Sequence, residues 1–106
     1  HADLGEKHIL HNPEENTLTG IIDFGDVAIG DPDYDLMCVY RDYGEKFIIN
    51  LLEWYPHDNP QLLLDKLRFF RDSNTVQDLV IGWNRNDTLL VNSKMEQLSQ
   101  EARMSY

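Results

Sequence analysis

The chain has 106 residues, 42% of them hydrophobic, which suffices for one small domain or part of one and excludes a multidomain assembly. Nineteen acidic residues against nine lysines and arginines give a formal net charge of −10, which opposes nucleic acid binding by phosphate repulsion and suits a cationic partner; an acidic surface that serves only solubility is the plain alternative. No run of about 18 apolar residues is present to span a bilayer, the first residues lack the order of a signal peptide, and the single cysteine, Cys38, excludes an intramolecular disulfide, so a cytoplasmic protein with no membrane partner is expected.

The sequence opens at His1 without an initiator methionine, and a removed upstream portion is expected. Ile9 and Leu10 lead into H-N-P-E-E-N at 11–16, a polar cluster that turns the chain, and T-L-T-G-I-I-D follows from Thr17 to Asp23: a short hairpin. Gly25, Gly30 and Pro32 then mark an ordered loop. A helix is expected from about Asp33, with the Asp33 carboxylate as its cap, with Leu36, Met37, Val39, Tyr40 and Tyr43 on its buried side, and with Gly44 as its stop. Cys38, between Met37 and Val39, reads as a packed thiol.

A second helix, about Glu45 to Tyr55, puts Phe47, Ile48, Leu51, Leu52 and Tyr55 on one face and ends at Pro56. Asn59-Pro60 starts a third, whose stripe of Leu63, Leu67 and Phe70 resumes after an expected break at Ser73-Asn74 as Val76, Leu79, Val80 and Trp83. A last helix is expected from Asp87 to about Arg103. These stripes read as core and carry no motif of their own.

The chemistry is concentrated at the front. His1-Ala2-Asp3-Leu4 is followed five residues after the aspartate by His8, then by the hairpin, then by Ile21-Ile22-Asp23-Phe24-Gly25-Asp26. Phosphoryl transfer from a nucleotide needs one carboxylate to orient the attacking hydroxyl and accept its proton, and separate ligands to hold magnesium against the phosphates. A hairpin sets its two ends side by side, so Asp3 and Asp23 can line one cleft despite their separation in sequence.

The pattern H-x-D-L, a ligand position five residues on, a hairpin and I-I-D-F-G-D resembles the catalytic core of the aminoglycoside phosphotransferase and protein-kinase-like superfamily. Ile29-Gly30-Asp31-Pro32-Asp33-Tyr34-Asp35-Leu36 is similar to the G-D-P-x-x-D-L element of antibiotic and small-molecule kinases, which points away from protein substrates. Residues 1–36 carry the resemblance. Most members place Asn where this chain has His8, and three readings of His8 stand: a metal ligand through a ring nitrogen, a hydrogen-bonding partner of phosphate or water, or a sign of a degraded site. A His here is similar to the aminoglycoside 2''-phosphotransferase subgroup.

The resemblance implies an α+β fold, the C-terminal part of a protein-kinase-like C-lobe, with a short hairpin followed by a mainly helical bundle. It implies a catalytic loop, hairpin and metal-binding segment at 1–36, a helical subdomain at 37–106, and an N-lobe absent from the chain. Asp3 is implied as catalytic base, Asp23 and His8 as Mg2+ ligands, and His1 and Asp35 as structural residues at the site, while Asp26 either binds metal weakly or caps a turn. Acidic residues beyond the metal site, Asp31, Asp33, Glu53 and Asp58, are candidates to meet a cationic substrate or are simply a solvated face. The implied activity is transfer of phosphate from ATP or GTP to a hydroxyl of a small cationic compound such as an aminoglycoside, which would confer antibiotic resistance. The isolated chain is expected to be inactive and to self-associate through uncovered apolar surface. A kinase of a choline-like or sugar alcohol, and a nucleotide-binding pseudokinase or interaction module, are the rival readings.

Overall fold

The computed structural model describes residues 1–105, which form two compact units, one of His1–Leu67 and a second that begins at Arg68. In the first unit the expected hairpin is present: β1 (Ile9–Asn12) pairs antiparallel with β2 (Thr17–Ile21), with an irregularity between Leu10 and His11. Asn12 makes the turn, because its Oδ1 accepts the N–H groups of Glu14 and Glu15 at 3.0 and 3.3 Å. Beyond the strands the ladder gains one rung, from Ile22 N–H to the His8 carbonyl at 2.9 Å, so the residues preceding β1 and following β2 stay adjacent.

The segment after the loop departs from expectation. A 3-10 turn, Pro32–Leu36, comes first and α1 (Met37–Tyr43) follows it; the cap is Asp31, whose Oδ1 accepts the Asp33 N–H at 3.0 Å. Proline at the first position of the turn favours Asp31 in that role, since proline has no N–H to satisfy and its φ suits the entry. Asp33, freed from capping, turns inward and is buried. Gly44 stops α1 as expected, in a left-handed conformation (φ 83) that only glycine adopts cheaply.

Helix α2 (Glu45–Leu51) is shorter than expected, its continuation to Tyr55 being a set of turns. Ile48 is fully buried, and with Met37, Cys38, Tyr40, Leu63, Leu64 and Leu67 it makes the core of this unit. Burial pushes the Cys38 thiol up from its usual range, as fits a packed rather than a reactive sulfur. Tyr43, Phe47 and Tyr55, expected in the core, are instead about half exposed and line an open groove of 830 Å³ together with Leu4, Leu36 and Val39.

Helix α3 (Pro60–Asn84) has no break at Ser73-Asn74. Serine and asparagine cost a helix only tenths of a kcal/mol, about 0.5 each, and without Gly or Pro nothing interrupts the hydrogen-bond ladder. In the second unit α3 meets α4 (Thr88–Ser105) through a buried polar cluster, where Thr75 Oγ1 donates to Glu101 Oε2 at 3.1 Å and Gln97 Nε2 to Glu101 Oε1 at 2.8 Å. The helices approach closely at Gly82, where a Cβ would lie 3.2 Å from Leu90. Val76, Val80 and Trp83, expected as core, are exposed. Among the described residues no helix is long and apolar enough to cross a membrane.

Candidate active site

The backbone of His1-Ala2-Asp3 is held in an unusual shape. Ala2 lies in the left-handed region (φ 68), which costs an L-residue with a Cβ about 1–2 kcal/mol, so something must hold it there. Asp35 does so: its Oδ1 accepts the Ala2 N–H at 2.8 Å and its carboxylate also meets the His1 nitrogen. The Ala2 N–H holds the Asp35 carboxyl below the usual carboxylate range. A depressed value means that this link is fully formed above the unfolded carboxyl's range and is lost only as pH falls through the folded one, so it is intact at neutral pH.

His1 fixes the same loop from the other side. Its Nε2 lies 2.8 Å from the Ile22 carbonyl, which can only accept, so Nε2 carries the proton; Nδ1 then accepts the Asp3 N–H at 3.2 Å. The imidazole therefore ties the loop bearing Asp3 to the chain leaving β2, and its ring packs 4.6 Å from that of Phe24. His1 and Asp35, which the resemblance implies as structural residues at the site, thus both bond to the loop that bears Asp3.

His8 is buried behind the two aspartates. Its Nδ1 is 2.7 Å from the Asp3 carbonyl oxygen and so must donate, which leaves the Nε2 lone pair directed at Asp23 Oδ2, 3.3 Å away. Two acceptors at that separation repel. A cation between them, a metal ion or a proton on Nε2, makes the contact favourable. Asp3 Oδ2 is 3.7 Å from the ring, and ligand atoms of Asp3, His8 and Asp23 all lie within 4.8 Å of one another. Asp23 also has a positive φ (62), which aspartate tolerates better than most residues and which turns its side chain out of the strand direction toward His8. Two carboxylates and one correctly tautomerised imidazole are a fitting donor set for a divalent ion, with Asp3 and Asp23 still accessible to solvent.

The other sequence candidates lie elsewhere. Asp26 is exposed in the loop after Asp23. Asp33, named as a candidate for substrate contact, is 5% exposed, with Oδ1 accepting from His57 Nε2 at 2.9 Å and Oδ2 from Lys66 Nζ at 2.8 Å, so its carboxylate is committed inside the protein. Asp31 is exposed but also faces Lys66 at 2.8 Å, and that ammonium holds its carboxyl below the usual range. Glu53 and Asp58 are exposed. Sequence reasoning missed His57 and Lys66, for which no local signal exists, since their partner is 24 and 33 residues away.

Comparison with known proteins identifies the family. Residues 1–70 match the model of the phosphotransferase enzyme family. The chain is 33% identical over 54 residues to viomycin phosphotransferase of Streptomyces vinaceus, an alignment covering 49% of this chain and 19% of that protein. Its fold superposes on the GDP and kanamycin complex of APH(2")-IIIa with a TM-score of 0.90 and 32% identity, covering 99% of this chain and 36% of that one. The GDP complex of wild-type aminoglycoside 2'-phosphotransferase-IIIa gives 0.87 and 31%, again over 99% of this chain and 36% of that one. The chain thus spans about a third of the length of the solved structures it matches, over the hairpin, the Asp3, His8 and Asp23 cluster and the helices that follow, and it belongs to the phosphotransferase enzyme family.

Proposed function

We propose that this chain carries the catalytic and metal-binding residues of a nucleotide-dependent phosphotransferase that acts on a hydroxyl of a small cationic compound, an aminoglycoside being the foremost candidate. The convergence of Asp3, His8 and Asp23 across the hairpin carries the proposal. Asp3 is the general base: its carboxylate stands at the mouth of the cluster, on a loop fixed by His1 and Asp35, where it can accept the proton of an attacking hydroxyl. Asp23 and His8 would hold Mg2+, which when bound neutralises phosphate charge. Imidazole is a softer ligand than an amide oxygen, so Mn2+ should occupy the same residues at least as well.

The nucleotide, ATP or GTP, is part of the proposal because two of the solved relatives hold GDP, and the cationic acceptor because one holds kanamycin. The net charge of −10 and the exposed Asp31, Glu53 and Asp58 favour an acceptor bearing ammonium groups. Residues 1–36 form the catalytic loop, hairpin and metal segment in this reading, and 37–106 the helical subdomain. Together they act with a separate nucleotide-binding lobe, which the length of the relatives and the uncovered apolar groove both support.

The test is transfer of label from γ-labelled ATP and GTP by the protein containing this chain, with kanamycin, viomycin and choline as acceptors. Metal-dependent labelling of kanamycin well above choline is expected. Labelling of choline alone would move the acceptor to a different class, and binding of nucleotide with no transfer to any acceptor would indicate a binding module instead.

A further inference from the structure

Outside the proposed site, the most developed polar arrangement is the one that encloses Asp33. We infer that Lys66 and Asp33 are positioning residues, which with Asp31 and His57 lock the 3-10 turn carrying Asp35 and thereby hold the loop of Asp3 in its working shape.

Asp33 and Asp35 lie two residues apart on the five-residue turn Pro32–Leu36. Asp35 faces the loop, where it accepts the Ala2 N–H, and Asp33 faces the opposite way, toward the start of α3. So short a turn cannot rotate at one aspartate and stay fixed at the other. Its far side is fastened at three points. Lys66 Nζ donates to Asp31 Oδ2 and Asp33 Oδ2, both at 2.8 Å; His57 Nε2 donates to Asp33 Oδ1 at 2.9 Å; and Asp31 caps the Asp33 N–H. His57 is itself oriented, because its Nδ1 accepts the Asn59 N–H at 3.0 Å as the chain enters α3.

Lys66 matters most in this arrangement. It supplies the cationic charge between two carboxylates that both lie within reach of one ammonium, and His57, accepting at Nδ1, brings no charge of its own. Without Lys66 the two carboxylates repel, one of them in a buried position, and the turn gains a reason to swing away from α3. Asp35 would move with it and release Ala2, whose left-handed backbone has an intrinsic tendency to relax. The effect of Lys66 on turnover rests on the phosphotransferase reading, whereas the readouts below do not.

Amide hydrogen exchange on the isotopically labelled protein that carries this chain tests the coupling. The Asp3 and Gly5 N–H groups, which bond to His1 Nδ1 and to the Asp3 carbonyl, report the loop, and the Leu52 N–H, bonded to the Ile48 carbonyl, reports the core. In Lys66→Met the loop amides should exchange at least about tenfold faster while Leu52 changes less than about threefold, and Lys66→Arg, which keeps the charge, should restore the loop. Unchanged loop amides, or equal acceleration at Leu52, would overturn the inference by making Lys66 inert or merely stabilising. If Lys66→Met does not fold, Asp31→Asn decides the matter, since it is exposed and asparagine still caps: faster loop exchange with steady Leu52 supports the coupling and an unaltered loop refutes it. Failure of the phosphotransferase reading would appear separately, as absence of transfer with the loop responding as described.

Discussion

Asp23→Ala in the protein that carries this chain is expected to reduce metal-dependent phosphate transfer by a factor on the order of 10³, equivalent to about 4 kcal/mol of transition-state stabilisation. The loss follows from the geometry of the cluster. His8 Nε2 has Asp23 Oδ2 as its facing partner at 3.3 Å, and removing that carboxylate leaves an imidazole and the proposed base to hold a divalent ion. Asp23 is more than half exposed and contributes little to the core, so the variant should fold. Asp23→Asn is the necessary companion, because asparagine accepts the left-handed backbone at this position as readily as aspartate does, while alanine adds strain. Both variants should lose turnover if the carboxylate is a ligand. Loss in Asp23→Ala alone would trace the effect to the backbone.

Asp3→Asn should lower kcat by about 10²- to 10⁴-fold, the range typical of removing a general base, and change nucleotide affinity by less than about threefold. The asparagine keeps the shape of the side chain and the backbone bonds that fix the loop, namely the Asp3 N–H to His1 Nδ1 and the Asp3 carbonyl to His8 Nδ1. What disappears is the basic oxygen. Steady-state kinetics and calorimetry on the same variant separate the outcomes: a fall in kcat with affinity kept identifies a base, and a parallel fall in both would make Asp3 a metal ligand or a structural residue.

The hairpin and its flanking loops were legible in the sequence because their causes are local. Asn12 and the polar cluster after it turn the chain, and alternating Thr, Leu and Ile residues form the return strand. Once the hairpin is granted, Asp3, His8 and Asp23 must converge, and they do so to within 4.8 Å. The left-handed conformation of Ala2 was not legible, because alanine gives no sign of it: the reason lies in the Asp35 carboxylate, 33 residues away.

The same holds for Asp33. Two aspartates flank Pro32, either can cap a turn, and only the distant Lys66 and His57 decide which one is drawn inside. Helical periodicity located the helices, although α1 and α2 are shorter than expected and α3 is unbroken, and it overstated the core, since it shows which side of a helix is apolar and not whether another surface covers it. Phe47 and Tyr55 in the groove, and Val80 and Trp83 on α3, are apolar positions that stay exposed in this chain. The unbroken α3 has a similar lesson: Ser73 and Asn74 are weak breakers whose small local cost the helix on either side outweighs.

If His8 and Asp23 hold a divalent ion beside the proposed base Asp3, titration of Mn2+ into the labelled protein followed by magnetic resonance locates that ion without any need for turnover. Paramagnetic broadening falls steeply with distance from the ion, so a bound Mn2+ reports its own position. Broadening should appear first at the His8 ring and at Asp3 and Asp23, and the Asp23→Ala chain should lose it at the same Mn2+ concentration. Broadening centred on exposed acidic residues such as Glu53 and Asp58, with the His8 ring unaffected, would contradict the assignment.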